Sequence, residues 1–126
     1  MTVQPFEPFP HIQTQISFDR RELQVILSLY GRMIAAGEWR DYGISTLRDH
    51  AVFSVFRRTA ENPLYRIEKH PRLRMRQGLY AVVGMDGQVL KRGGDLEAAP
   101  LDDQLPDPTG DDPQFDRDWA FALIRS

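Results

Sequence analysis

The densest ionisable run in the chain is KHPRLRMR, residues 69–76, with four fixed positive charges and one histidine in eight residues. Lys69, Arg72, Arg74 and Arg76 are the side chains that neutralise phosphate or carboxylate groups, and His70 adds a group that changes charge near neutral pH. Five more cations lie close in sequence: Arg57, Arg58, Arg66, Lys91 and Arg92. Together they read as an anion-facing patch, with Tyr65 and Tyr80 as flanking aromatic anchors and Trp119 as a third. The plain alternative is a wetted sheet face, since Arg and Lys keep such a face soluble and block edge pairing.

Other chemistry finds less support. His11, His50 and His70 are far apart, each in a predicted arm, turn or loop, where a lone histidine is usually only solvated. No nucleophile motif, zinc-binding histidine pair or acidic metal triplet occurs, so no catalytic residue, metal ligand or cofactor is assigned. The absence of cysteine removes disulfides, thiolate metal sites and cysteine nucleophiles together. Gly84, Gly87, Gly93 and Gly94 follow a predicted hairpin with no helix start after them, so they read as turn chemistry and not as a phosphate loop. Asp102, Asp103, Asp107, Asp111 and Asp112 lack the spacing and closing glutamate of a calcium loop. An enzyme would have to assemble its site from scattered residues such as Tyr42, Asp49, His50 and Arg66.

The elements that would position these residues are legible from periodicity. Asp19 and Glu22 form a capping-box pattern, and Leu23, Ile26, Leu27, Tyr30 and Ile34 then recur at helical spacing. This predicts a helix over 20–36 that stops at Gly37. Short strands follow at 15–18 (before the helix), 42–47, 51–58, 64–69, 78–83 and 88–92, with Arg48–His50 as a tight turn and Asp86-Gly87 as a type I′ turn. In the 64–69 strand, Tyr65 and Ile67 share one face and Arg66 and Glu68 the other. Five consecutive strands without an intervening helix predict an α+β fold: an antiparallel β-meander with one long amphipathic helix packed on one face.

The flanks differ in character. Residues 1–15 hold Pro5, Pro8 and Pro10 and read as an arm, residues 16–96 as the α+β domain, and residues 97–126 as a flexible, acidic, Pro/Asp-rich tail. Phe115, Trp119, Ala122 and Leu123 of the closing segment Phe115–Ile124 fit a helix, while Trp119, Phe121 and Leu123 fit a strand equally well. Such a segment packs on its own domain, on a second copy or on another protein, the first being most frequent. The net charge of −2 conceals a separation: residues 1–56 carry −1, residues 57–92 carry +6 and residues 93–126 carry −7. That layout suits an acidic partner, either another protein or the chain's own tail, with nucleic acid as the alternative. Ser28, Gly31 and Ala35 make a small-residue line compatible with a homodimer. With no basic leader and no apolar run near the ~20 residues of a membrane span, the expectation is a cytoplasmic protein that does not enter the membrane.

The phrases FDRRELQVILSLYGRMIAAGEWRDYGI, AVFSVFRR, PLYRIEK and QGLYAVVGMDGQVLKRGGDL resemble a group of small alphaproteobacterial proteins that form a domain of unknown function. The resemblance covers residues 16–96 and implies a cytoplasmic bacterial protein. It implies no activity and supplies no catalytic or binding residues. The acidic stretch after Leu96 departs from the family's usual, more helical ending. The combined reading is a non-catalytic interaction or regulatory module with a basic surface.

Overall fold

The computed structural model describes residues 15–57, 62–97 and 118–125. The proline-bearing arm up to residue 14, Arg58 and the acidic stretch 98–117 lie outside the described residues.

Helix α1 spans Arg20–Ala35. Its start is a full capping box: Glu22 N–H donates to Asp19 Oδ1 at 2.8 Å, and Asp19 N–H donates to Glu22 Oε1 at 2.7 Å. Its end is a Schellman motif, because Gly37 takes φ 79° and lets Glu38 N–H reach Met33 O at 2.9 Å. Val25, Ile26, Leu29 and Met33 are buried along one side.

Five strands form one antiparallel sheet in sequence order: β1 (Asp41–Thr46), β2 (Ala51–Phe56), β3 (Tyr65–Lys69), β4 (Tyr80–Gly84) and β5 (Val89–Gly93). The meander and the helix are as the sequence predicts. Residues 15–18 form no strand of their own, although Ile16 N–H donates to Leu47 O at the end of β1. The β4–β5 turn also differs from the predicted type I′. Gly87 N–H closes on Gly84 O, so Met85 and Asp86 are the central residues, and Gly87 (φ 85°) takes the left-handed position of a three-residue loop. One extra residue, Leu90, falls between the pairs Val82–Lys91 and Val83–Val89. That bulge resets the register of β5.

Partners across the strands share a face. The rows Tyr42–Val55–Tyr65, Ile44–Phe53–Ile67–Val82–Lys91 and Ala51–Lys69–Tyr80–Gly93 look toward α1. The rows Ser54–Arg66–Val83 and Val52–Glu68–Ala81–Arg92 look the other way. The core lies on the α1 side, around Phe53, Ile67, Val82, Ile26 and Leu29.

The closing segment, left between helix and strand by its periodicity, is both. Asp118–Leu123 is helix α2, and Ile124–Arg125 is strand β7, paired antiparallel with β6 (Asp95–Leu96). It packs on its own domain: Trp119, Ala120, Leu123 and Ile124 are buried, and Trp119 meets Trp39 and Tyr65 edge-on, each at 5.1 Å between ring centres.

Candidate functional site

The cations of the basic stretch do not share one surface. Adjacent residues in a strand point to opposite faces, and that alternation divides them. Lys69 and Lys91 face α1. Lys69 Nζ bonds Glu22 Oε1 at 2.8 Å and Ser17 O at 3.0 Å, and Lys91 sits 5.5 Å from the ring centre of Phe121. Arg66 and Arg92 lie on the face turned away from α1, and Arg57 reaches Glu38 at 3.5 Å beyond the end of β2. The aromatic anchors are on the wrong side as well. Tyr80 is buried and donates to Glu22 Oε2, Tyr65 packs on Trp119, and Trp119 is itself core. The expectation of one shared patch with three aromatic anchors is therefore corrected to a smaller set.

That set gathers where the β1–β2 turn meets the β3–β4 connection. The connection is a 3-10 turn (Pro71–Leu73) followed by further turns, and Leu73 O accepts from Arg76, Gln77 and Gly78 N–H at 2.9 to 3.0 Å. Pro71 at its first position needs no amide partner and presets the backbone. His70 N–H to Leu79 O, at 2.6 Å, closes the base. This bonding holds Arg72, Arg74 and Arg76 outward, all exposed, with Met75 at 90% exposure between them.

A chain of charged contacts then crosses the face turned away from α1. Arg66 Nε donates to Glu68 Oε2 at 3.0 Å, and Glu68 Oε1 accepts from His70 Nε2 at 2.8 Å. The His70 ring stacks on His50 with centres 4.8 Å apart and planes within 10°. His50 Nδ1 in turn bonds Asp49 Oδ1 at 2.7 Å. Burial raises the Glu68 pKa, but the hydrogen bonds from His70 and Arg66 outweigh it and hold the carboxyl below its ordinary value. Asp49 is likewise lowered, mainly by its bond from His50, with Arg72 contributing charge. In the same cross-strand row as Glu68, two strands on, Arg92 Nη1 is buried without a hydrogen-bond partner among the described residues.

Of the scattered enzyme candidates, the fold thus brings Asp49, His50 and Arg66 into one chain of contacts and leaves Tyr42 on the other face, stacked on Phe53 at 4.9 Å. Sequence reasoning missed Glu68 and the pairing of the two histidines. The signal was present in the alternation Arg66, Glu68, His70, which sets three ionisable groups on one side of one strand line. A separate cavity of about 400 Å³ is lined by Leu64, Tyr65, Gly84, Met85, Asp86 and Leu90, and Asp86 is its one carboxylate. The described residues hold no group of three or more His, Cys, Asp or Glu placed to bind a metal ion. No described helix is long and apolar enough to cross a membrane.

Fold and site define an α+β domain: one capped helix on an antiparallel meander, with an ionic cluster on the sheet face turned away from that helix. The chain belongs to the family described as protein of unknown function (DUF2794), whose model matches residues 16–99. No curated protein and no solved structure matches it.

Proposed function

We propose that this chain is a non-catalytic interaction module whose β3–β4 connection docks an acidic protein segment. The observation that carries the reading is the display of Arg72, Arg74 and Arg76 on a loop stiffened by its own backbone bonds and braced, through the histidine stack, against the β1–β2 turn. Ordered arginines lose less entropy on meeting carboxylates than arginines on a mobile segment. An acidic protein suits the cluster better than nucleic acid, because Tyr65 and Tyr80 are occupied in the core and offer no base-stacking platform. Asp49 and Glu68, set among the cations, also oppose a continuous phosphate backbone.

The test is binding of a ten-residue aspartate peptide, beside single-stranded RNA of matched charge, at low salt. The peptide should bind, weaken with added salt, and lose roughly tenfold to a hundredfold affinity when Arg72, Arg74 and Arg76 are all changed to Ala. Tighter binding of RNA would transfer the surface to nucleic acid, and binding of neither would end the reading.

A further inference from the structure

We propose that the stacked pair His50–His70 is a proton-gated anion subsite: both rings take up protons as a carboxylate-rich partner binds. The inference rests on the docking surface proposed above and adds its regulation.

The geometry sets the tautomers. Asp49 and Glu68 can only accept, so His50 donates through Nδ1 at 2.7 Å and His70 through Nε2 at 2.8 Å. A neutral imidazole has one N–H, and on each ring it is already committed. The remaining nitrogens, His50 Nε2 and His70 Nδ1, carry lone pairs that repel an incoming carboxylate oxygen. A proton turns each into a charged donor. The two side chains keep 24% and 22% of their surface open, so water and ligand can reach them.

The surrounding charges supply the coupling. Asp49 and Arg72 face His50 from its own turn and from the β3–β4 connection. Glu68 and Arg66 face His70 from β3, and Arg92 follows in the same cross-strand row on β5. With both rings neutral, Asp49 and Glu68 offset Arg66 and Arg72, and Arg92 leaves a single positive charge over. Two protons then leave two like charges on rings whose centres are 4.8 Å apart. An anion laid across them screens that repulsion, so binding favours the second proton and the second proton favours binding.

Calorimetry with the ten-residue aspartate peptide, in buffers of different ionisation heat, reads affinity and proton uptake together. The expected result is net uptake of one to two protons and roughly tenfold or more tighter binding at about pH 6 than at about pH 8. His50→Phe and His70→Phe keep an aromatic ring in the stack without a titrating nitrogen. Each should keep the affinity seen at the higher pH and lose most of the gain. Should either variant misfold by near-UV circular dichroism, the wild-type ring Cε1 proton signals decide the matter. At about pH 7 they should move toward the protonated position when peptide is added. Equal pH slopes in wild type and both variants, or ring signals indifferent to peptide, would overturn the gate and leave the docking surface standing. Absence of peptide binding at every pH would remove the surface, and the gate with it.

Discussion

At the scale of single residues, the most constrained group is Glu22. The residue is 4% exposed, and its carboxyl group meets polar partners inside the fold. Three donors stabilise it there: Asp19 N–H, Lys69 Nζ and Tyr80 Oη. One side chain therefore caps the start of a helix, pairs a strand lysine and holds a buried phenol, which ties α1, β3 and β4 to a common point. Tyr80 shows the consequence in its titration. Burial, then the hydrogen bond to Glu22, push its pKa above the ordinary value of 10.0. A phenol whose folded pKa is raised contributes stability that is fully present below about pH 10 and is lost as pH climbs past it. Alkaline unfolding of wild type should therefore steepen above about pH 10, and the Tyr80→Phe variant should lack that component. Denaturant midpoints measured at intervals across this range give the comparison. Parallel curves for the two proteins would show that Tyr80 ionises in the folded state without cost.

At the scale of elements, two glycines with opposite surroundings separate propensity from packing. Gly31 lies mid-helix in α1 with nothing within 4 Å of a built Cβ. Gly93 ends β5, where a Cβ would fall 2.6 Å from Ile124 Cγ2 and 2.8 Å from Arg125 C. Gly31→Ala should stabilise by about 0.5–1 kcal/mol through helix propensity alone. Gly93→Ala should cost about 2–3 kcal/mol by forcing β7 off β5. Chemical denaturation of both variants reads the signs, and a stabilised Gly93→Ala would mean that β7 does not sit against β5. Ser28, Gly31 and Ala35 are all exposed on α1, so the Gly31 variant also bears on the homodimer expectation, because a bulkier residue there would weaken a close helix contact. The helix and meander were legible because a capping box, a 3.6-residue apolar period and five alternating runs each act locally. The β4–β5 turn was not legible in detail. Asp86-Gly87 permits two loop types, and the bulge at Leu90 chooses between them through pairing distant from the turn itself. Facing directions within strands were legible for Arg66 and Glu68. They were not used for Lys69, three residues from Arg66, or Lys91, next to Arg92, and each odd spacing puts the lysine on the opposite face, toward α1.

At the scale of the whole molecule, the charge separation read along the sequence does not become a separation in space. Strand alternation distributes the +6 segment between two faces, and Arg21 brings the two ends of the fold together, donating to Leu96 O at 2.8 Å beside Asp95. What closes the core is the last described octet. Trp119 fills the space between Trp39 and Tyr65, while Leu123 and Ile124 seal the edge beyond β5. Glu97 N–H donates to Leu123 O at 2.9 Å and the Glu97 carboxylate meets Arg125 at 3.2 Å, so the strand entering and the strand ending are locked together. Periodicity could not foresee this, because eight residues satisfy helix and strand patterns equally and only the cleft between Trp39 and Tyr65 decides. Removing residues 118–126 therefore exposes Trp39, Tyr65 and Leu96 at once. Three large buried apolar side chains, Trp119, Leu123 and Ile124, are lost, each worth roughly 1.5–3 kcal/mol, against a total stability of about 5–15 kcal/mol for a domain of this kind. The shortened chain should lose cooperative thermal unfolding and bind a hydrophobic dye, with Trp39 emission shifted toward that of a solvated indole. A milder Trp119→Phe variant should remain folded with a lowered midpoint, because a phenyl ring keeps the edge-on contact to Trp39 and leaves no indole N–H to be buried without a partner. A shortened chain that melted as sharply as wild type would show that α2 and β7 rest on a core already complete without them.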